Sequence, residues 1–469
     1  MNAQKNRLTK LTVGFIAATL VAVMPTPSSA LAPQRVVTAA KIPSSIAAGS
    51  LVTATPAKWS AAVTRKYQWL LSGKPIARAT TLKYQTSAAQ IGKALRFKET
   101  ARFSNGKTIV SMSLPVVIGK IMFLAEPSIM YIDANQNSAQ VYPPSVRPSN
   151  VTLAYQWLRE GKIISGANTS SYVFTGADQG ALISLRITAS KAGFRTTVAE
   201  STTLEGPLSF AAETQLLWSD EFNDAAGTAP NANNWVAQEG DGVAYGNRGW
   251  GNNERQWYLL NQAKHDGNGN LVITATRTGA DQYNCYYPGQ CEWISSKLVT
   301  LNKIGVRYGR MSIRMKGAAG VGTWPAFWTL GTNIAKVGWP RCGEIDIVEL
   351  AGYTPTTVWG TPHGPISWGP GVGRTVELAQ PADQDFHEYT VDWYEDRMIW
   401  YVDGVAFHVY RKSEYETDWV FNEEQYLILN LAMGGNFGRD IDPNLTESNI
   451  QVDWVRVYRV NGVGELITH

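Results

Sequence analysis

The chain has 469 residues, which is too long for one ordinary domain and suits two or three. Its 42 lysines and arginines stand against 38 aspartates and glutamates, a formal net charge of +4. Residues 1–32 carry three basic residues and no acid, so the remainder of the chain has a charge of only +1. Such a balance argues against nucleic acid or an anionic membrane as a partner, and we expect neither.

Residues 1–30 have the pattern of a secretory signal peptide. Lys5, Arg7 and Lys10 form a basic start, residues 11–24 are an apolar run, and small residues precede a cleavage site after Ala30. The apolar run is short for a transmembrane helix, so a retained anchor is the weaker reading. We therefore expect a secreted, extracellular protein that has no membrane attachment once the signal is removed.

An internal repeat follows the signal. Tyr67-Gln-Trp-Leu70 recurs as Tyr155-Gln-Trp-Leu158, an offset of 88 residues. Short alternating runs with glycine and asparagine turns predict a small β-sandwich for each copy. We name residues 33–120 module 1 and residues 121–206 module 2. Both resemble bacterial immunoglobulin-like modules, and we expect Trp69 and Trp157 to be core residues.

Residues 210–462 form the C-terminal region, where helical signal is scarce. Alternating apolar runs, such as residues 269–277 and 450–458, are separated by Gly, Asn, Asp or Pro turns. The pattern predicts one all-β domain of a size that β-sandwiches reach. Fourteen of the 17 tryptophans lie in this region, which suits aromatic platforms on a β scaffold.

Three carboxylates lie on one predicted strand of this region. On a regular strand Glu344 and Asp346 share one face, and Ile345 and Ile347 point to the other. Glu349 is five residues from Glu344, so a regular strand would bury its charge in the apolar layer at high cost. We therefore predict a β-bulge, which returns Glu349 to the face of the other two acids.

This arrangement suits proton transfer and nucleophilic attack at a sugar. Retaining glycosidases use two carboxyl groups about 5–5.5 Å apart, one ionised and one protonated. Crowding of acids raises the proton affinity of at least one of them. Taken alone, the pattern is also compatible with an acidic solvent-facing strand or half of a calcium site.

The flanking motifs resemble glycoside hydrolase family 16, in its laminarinase-like (endo-β-1,3-glucanase) branch. The resemblance covers roughly residues 215–459 and rests on eleven motifs in order. They are Trp218-Ser-Asp-Glu-Phe222, Gly251-Asn-Asn-Glu254, Gly269-Asn-Leu-Val-Ile-Thr-Ala275, Tyr308-Gly-Arg310, Gly322-Thr-Trp-Pro-Ala-Phe-Trp328, Gly343-Glu-Ile-Asp-Ile-Val-Glu349, Gly360-Thr-Pro-His363, Asp385-Phe-His387, Trp400-Tyr-Val-Asp-Gly404, Leu429-Asn-Leu-Ala-Met-Gly-Gly-Asn436 and Val452-Asp-Trp-Val-Arg-Val-Tyr458.

The resemblance implies an all-β fold, a β-jelly-roll sandwich of the concanavalin A type with a concave substrate cleft. It implies that Glu344 is the nucleophile, Glu349 the acid/base, and Asp346 the carboxylate that tunes the pair. The expected activity is hydrolysis of β-1,3-glucan, and we expect a monomer. Another polysaccharide (mixed-linkage glucan, agarose or carrageenan), transglycosylation and a non-catalytic glucan-binding lectin are the alternatives.

A second set of residues is expected to bind the substrate. Tryptophans can stack on sugar rings, and polar groups must then fix the hydroxyls. The residues predicted for these roles are Trp324, Trp328, Trp339, His363, Asn253, Glu254 and Arg310.

No cofactor is expected for the chemistry. The resemblance implies a structural Ca²⁺ site at Glu221 and Asp453, on the convex face. Cys285 and Cys291 bracket a short loop where a disulfide is plausible in an oxidising compartment, and Cys342 is expected to be a small buried packing residue.

Overall fold

The computed structural model describes residues 33–132, 136–208, 212–286, 289–369 and 372–469. The predicted signal peptide lies outside these residues and stays a prediction. The chain separates into two compact units, of which the first ends at Met122 and also takes in Lys191–Thr196. The second unit combines Phe123–Ser190 with Thr197–His469, so most of module 2 belongs with the C-terminal region. The exact module boundaries stay predictions.

Module 1 contains ten short strands. Its largest sheet has the order β2-β10-β8-β5-β6, with β9 paired to β8. The strands are β1 (Val36–Thr38), β2 (Ile46–Ala47), β3 (Leu51–Thr53), β4 (Lys58–Trp59), β5 (Val63–Leu71), β6 (Lys74–Pro75), β7 (Lys83–Gln85), β8 (Ala94–Phe103), β9 (Thr108–Met112) and β10 (Val116–Gly119).

Module 2 repeats this pattern with ten further strands. Its largest sheet has the order β16-β15-β18-β19, with β20 also paired to β18. The strands are β11 (Phe123–Leu124), β12 (Ser128–Tyr131), β13 (Ser138–Tyr142), β14 (Val146–Arg147), β15 (Thr152–Arg159), β16 (Lys162–Ile163), β17 (Ser171–Val173), β18 (Leu182–Ser190), β19 (Thr197–Glu200) and β20 (Leu204–Glu205).

The repeat extends to the interior of both modules. Trp69 and Trp157 are fully buried, as predicted. Each indole donates to a backbone carbonyl twelve residues later, that of Thr81 (2.8 Å) and that of Thr169 (2.9 Å). The same side chain therefore has the same structural role in both copies.

The C-terminal region is a sandwich of two large sheets. Its strands are β21 (Thr214–Asp220), β22 (Val236–Ala237), β23 (Gln256–Tyr258), β24 (Ala263–His265), β25 (Leu271–Thr276), β26 (Trp293–Ser295), β27 (Lys297–Val299), β28 (Ile304–Arg307), β29 (Gly309–Lys316), β30 (Thr323–Gly331), β31 (Glu344–Leu350), β32 (Thr357–His363), β33 (Arg374–Glu377), β34 (His387–Trp393), β35 (Arg397–Val402), β36 (Val405–Arg411), β37 (Gln425–Met433), β38 (Glu447–Val460) and β39 (Glu465–Thr468).

Helices are few and short. Two single-turn α-helices are α1 (Ile334–Val337) and α2 (Gly435–Gly438). The 3₁₀ turns are Ala88–Gln90, Gly176–Asp178, Val243–Tyr245, Arg248–Gly251, Leu260–Gln262 and Ala280–Gln282. Among the described residues, no helix has the length and apolar character needed to cross a bilayer. The predicted all-β class is confirmed.

The two sheets enclose the main hydrophobic core. One has the order β22-β27-β37-β30-β31-β32-β33 and the other β23-β26-β25-β38-β29-β34-β35-β36. Inward side chains of both, such as Phe327, Ile345, Val391 and Val455, are fully buried in one cluster. The opposite face of the first sheet is left free to line a cleft, in agreement with the predicted jelly-roll sandwich.

The cysteines behave as the sequence suggests. Cys285 and Cys291 form a disulfide, and Cys342 is a free, buried thiol. Burial raises the pKa of Cys342 to about 11, so it stays a neutral packing residue at physiological pH.

Candidate active site

The predicted β-bulge lies in β31. Opposite it on β30, Trp328 faces Asp346 and Phe327 faces Val348, which leaves Ile347 as the inserted residue. The register with β32 also shifts between Asp346 and Glu349. Because of this insertion, Ile347 and Val348 both enter the core, and Glu349 returns to the cleft face. The bulge prediction is confirmed.

The three carboxylates line one cavity of about 430 Å³ on the open face of the sheet. Its lining is a mixture of acids, amides, one lysine and aromatic rings. The described residues around it are Gln238, Tyr245, Asn247, Trp250, Asn252, Glu254, Lys297, Leu301, Trp324, Ala326, Trp328, Leu330, Ile334, Ala335, Glu344, Asp346, Glu349, Tyr426 and Asn430. This composition is typical of a sugar site, where rings stack and polar groups bind hydroxyls.

Glu344 lies at the start of β31 and is only partly buried. The indole Nε1 of Trp339 donates to its Oε2 at 2.5 Å, and the Trp339 side chain is 47% exposed. This indole N–H fixes the position of one carboxylate oxygen. The ring next to it offers an exposed apolar face beside this carboxylate.

Glu349 lies near the other end of the strand and is also half-buried. Trp324 Nε1 donates to its Oε1 at 3.0 Å. Burial, reinforced by the charge of Glu344, raises the pKa of Glu349 to about 7, although His363 and Trp324 oppose the shift. A carboxyl group with this pKa carries its proton near neutral pH and can donate it to a leaving oxygen.

Asp346 lies between the two glutamates and contacts His363. Its Oδ2 is 3.0 Å from His363 Nε2. Burial and the charges of both glutamates raise the pKa of Asp346 well above its usual value. Burial lowers the pKa of His363, but the adjacent Asp346 carboxylate outweighs it and raises this pKa to about 10. One proton held between the two side chains satisfies both tendencies.

Lys297 is a buried cation that sequence reasoning missed. Its Nζ lies 4.2 Å from the centroid of the Trp250 ring and 4.9 Å from that of Trp328. Burial lowers its pKa to about 8, against the attraction of Glu254 and Glu344. An ammonium held between two indole rings is positioned to donate hydrogen bonds into the cavity. A lysine in the otherwise apolar strand β27 was the available signal.

Glu254 was predicted as a binding residue and lines the cavity. Its Oε2 accepts hydrogen bonds from Gln256 Nε2 at 2.6 Å and Tyr258 Oη at 3.0 Å. Burial raises its pKa to about 7, with Lys297 opposing the shift. Trp328 also lines the cavity, where its Nε1 donates to Asn430 Oδ1 at 2.7 Å. Asn430 was not predicted.

An aromatic cluster lies beside Glu349. Phe437, from α2, has its ring centroid 5.2 Å from that of Trp324 and 5.1 Å from that of Trp359. Sequence reasoning named the neighbouring Asn436 only as part of a motif and missed Phe437. These rings add apolar surface next to the candidate proton donor.

Four predicted binding residues are not among those that line the cavity: Trp339 and His363 contact its carboxylates, whereas Asn253 and Arg310 have other partners. Asn253 is exposed and donates from Nδ2 to Asn436 Oδ1 at 2.9 Å, while its neighbour Asn252 lines the cavity. Arg310 lies on β29 in the other sheet and forms an ion pair with Asp392 at 2.6 Å. The assignment of Arg310 is therefore corrected, since it stabilises the opposite sheet, and the role of Asn253 stays a prediction.

The predicted calcium ligands do not converge on one site. Glu221 pairs with Arg456 at 2.7 Å, and Asp453 pairs with Arg314. Carboxylates that are each bound to a different arginine do not fit a shared cation site. The structure therefore gives no support to a calcium ion held by Glu221 and Asp453.

One other group of side chains has the spacing of metal ligands. Within the described residues, ligand atoms of Glu344, Asp346 and His363 lie within 4.8 Å of one another. Trp339 and the contact between His363 and Asp346 already engage oxygens of this group. We therefore assign it to proton chemistry.

A β-sandwich with an open cleft, two glutamates on one bulged strand and aromatic walls defines a glycoside hydrolase. Residues 252–456 match the family described as glycosyl hydrolases family 16. The chain is 35% identical over 266 residues to glucan endo-1,3-beta-glucosidase A1 of Niallia circulans, covering 52% of this chain and 38% of that protein. It is also 35% identical over 259 residues to the beta-glucanase of Rhodothermus marinus, covering 52% of this chain and 85% of that one.

Among solved structures, the laminarinase catalytic domain from Thermotoga maritima is 38% identical, with a TM-score of 0.49 and coverage of 53% of this chain and 98% of that chain. The chain belongs to glycosyl hydrolases family 16, and its relatives include proteins named glucan endo-1,3-beta-glucosidase and beta-glucanase.

Proposed function

We propose that this protein is a secreted endo-β-1,3-glucanase that cleaves laminarin-like glucans with retention of configuration. The observation that carries the proposal is the bulge in β31, which places Glu344, Asp346 and Glu349 on one cavity. The substrate class follows the similarity to proteins named as endo-1,3-β-glucosidases, of which the chain spans about two fifths of the first. The signal-like N-terminus supports export.

The proposed mechanism uses two carboxyl groups in turn. Glu349, which holds its proton near pH 7, protonates the glycosidic oxygen while the Glu344 carboxylate attacks the anomeric carbon. The C–O bond to the leaving sugar breaks and a glutamyl-glycosyl ester forms. Glu349, now ionised, takes a proton from water, which attacks the anomeric carbon and releases Glu344.

The neighbouring groups support this division of roles. Trp339 orients the Glu344 oxygen, and Trp324 orients Glu349. The proton shared by Asp346 and His363 keeps the local negative charge low when Glu344 is ionised. Trp250, Trp328 and Lys297 are placed to bind a sugar ring.

The first test is the product profile on laminarin, mixed-linkage β-glucan, agarose and carrageenan. Glu344→Gln is the blank, and Glu447→Gln, which alters an exposed glutamate on β38, is the matched control. We expect the wild-type protein and the control to release oligosaccharides from laminarin. The rate of release by Glu344→Gln should be lower by several powers of ten. Cleavage of a galactan alone would overturn the substrate class, and near-normal activity of Glu344→Gln would overturn the nucleophile.

Retention is tested separately by proton NMR of the first products. The β-anomer is expected, and initial formation of the α-anomer would overturn the double displacement. N-terminal sequencing of protein recovered from culture medium tests export, for which a start at Leu31 is expected.

A further inference from the structure

The charge of this protein is unevenly distributed along the chain. Residues 33–120 contain fourteen lysines and arginines but one acid, Glu99, which gives module 1 a formal charge of +13. Module 2 has six of each sign, and residues 207–469 have 19 basic residues against 31 acids, a charge of −12. The near-neutral total therefore combines a strongly basic module with an acidic C-terminal region, and it does not indicate which partners module 1 binds.

The positive charge of module 1 is not neutralised inside the module. Module 1 lies wholly within the described residues, and its single acid, Glu99, is fully buried and pairs with Arg65 at 2.6 Å. The other thirteen cations have no acid of module 1 with which to pair. Twelve of the fourteen basic residues are exposed, so their charge acts on the solvent.

Four of the fourteen cations share one sheet face, which we call the basic face: the exposed Lys66 on β5 and Arg102 on β8, and the half-buried Arg96 and Lys98 on β8. Strand β8 buries Leu95, Phe97, Glu99 and Ala101, so its alternate residues point outward. Lys66 lies opposite Thr100, which makes Lys98 and Arg102 its diagonal neighbours. Such neighbours are about 7–8 Å apart, and like charges this close repel one another.

The fold itself does not require these cations. At the corresponding positions, 88 residues later, module 2 has Ala154, Ser184, Arg186 and Ser190 on the same two paired strands. Its one cation, Arg186, is neutralised by Glu200 at 3.1 Å. The same sandwich therefore forms with a face that has no net charge, so folding does not account for the repulsion in module 1.

We propose that the basic face binds a polysaccharide that carries carboxylate or sulfate groups, and so holds the enzyme on an anionic glycan matrix. The choice of a polysaccharide rests on the proposed function, since the same chain cleaves a glycan. No aromatic ring of module 1 is exposed, which disfavours single-stranded nucleic acid because base stacking needs such rings. Closely spaced cations along one sheet face suit the repeating charges of a linear polyanion.

The test measures binding to immobilised alginate by the complete mature protein. Every protein in this binding test also carries Glu344→Gln. The variant Lys66→Ala/Arg96→Ser/Arg102→Ser introduces the residues that module 2 has at these positions. The control Lys41→Ala/Lys58→Ser/Lys83→Ser removes the same charge outside the basic face. We expect wild-type and control proteins to bind alginate at 50 mM NaCl, with about tenfold or greater weakening in the basic-face variant and in 500 mM NaCl.

Each other outcome contradicts the proposal. Absence of binding at low salt overturns it, and equal loss in both triple variants overturns the basic face as the site. Tighter binding to a DNA duplex or to phosphatidylglycerol vesicles than to alginate overturns the polysaccharide. Thermal melting of each variant verifies folding. The same triple variants with Glu344 intact are expected to hydrolyse soluble laminarin at the wild-type rate. This measurement separates failure of the present proposal from failure of the proposed function.

Discussion

At the scale of single residues, Glu344 and Glu349 are the same amino acid in two different surroundings. Both are half-buried, but Glu349 contacts the indole of Trp324, whereas Glu344 contacts the exposed Trp339. Burial near a second carboxylate keeps a proton on Glu349. Environment, and not residue type, therefore assigns the acid and the nucleophile.

The raised pKa of Glu349 predicts the alkaline limb of the pH profile. Because the first step needs protonated Glu349, kcat/KM on laminarin should fall about tenfold per pH unit above roughly pH 7. The measurement is kcat/KM from pH 5 to 9, with an aryl β-glucoside that has a good leaving group as the comparison substrate. That substrate needs little acid assistance, so a parallel fall for both substrates would contradict the assignment of Glu349 as acid.

The same group affects stability with a definite sign. The pKa of Glu349 is raised from 4.5 in the unfolded chain to about 7 in the folded one, so the folded state binds this proton more tightly. Its contribution to stability is present below pH 4.5 and is lost as the pH rises through 7. Glu349→Gln should therefore raise the free energy of unfolding relative to wild type more at pH 8 than at pH 5.

Residues of the site were predictable only where a sequence motif, or the alternation of side chains along a strand, indicated them. The three acids, Trp324 and Trp328 were placed from the alternation of strand side chains. The neighbouring Asn252 lines the cavity and was not predicted individually, while the role of Asn253 stays a prediction. Arg310 was wrong because the motif that suggested it does not show the sheet to which its strand belongs.

At the scale of elements, the bulge in β31 depends on the opposite sheet. The backbone carbonyl of Asp346 accepts a hydrogen bond from Nε1 of Trp400 on β35, at 2.8 Å. Trp400 is fully buried, so no water can replace it. The odd spacing of the acids predicted the bulge. The hydrogen bond that stabilises it comes from Trp400, 54 residues away, and the sequence around the bulge does not indicate this partner.

Loss of this support should disturb catalysis as well as folding. Trp400→Phe leaves a buried carbonyl without a donor, which costs about 1–3 kcal/mol of unfolding free energy. We expect kcat on laminarin to fall at least tenfold at 25 °C, because small displacements of a catalytic carboxylate are costly. Urea unfolding and steady-state kinetics measure the two effects.

Trp393→Phe is the matched control for Trp400→Phe. Trp393 is equally buried, and its Nε1 donates to the carbonyl of Phe421 at 3.2 Å, a residue outside the cavity lining. It should lose similar stability with little change in kcat. Equal kinetic losses in both variants would mean that Trp400 has no specific role at the bulge.

At the scale of the whole molecule, the repeat predicted two similar sandwiches but not their different attachments. Module 2 lies against the C-terminal region within one compact unit. Arg397 Nε donates to the carbonyl of Gln179 at 2.8 Å, and its Nη2 donates to that of Ala177 at 2.7 Å. Arg411 Nε donates to the carbonyl of Gly180 at 2.9 Å. Backbone carbonyls are present at every residue, so this contact left no sequence pattern.

Module 2 should therefore contribute to the stability of the catalytic domain. Arg397 has a side chain that is 3% exposed, and Arg397→Met removes its charged hydrogen bonds to module 2, with an expected loss of about 3 kcal/mol in unfolding free energy. Lys162→Met breaks only the exposed pair with Glu395, at 3.3 Å, and should cost less than about 1 kcal/mol. Asp396→Asn alters the other partner of Arg397 but keeps the contacts with the carbonyls of module 2. Its loss of unfolding free energy should lie between those of the other two variants. Urea unfolding of the complete chain, followed by tryptophan fluorescence, measures all three. A loss for Arg397→Met no larger than that for Lys162→Met would show that module 2 is dispensable for the stability of the domain it contacts.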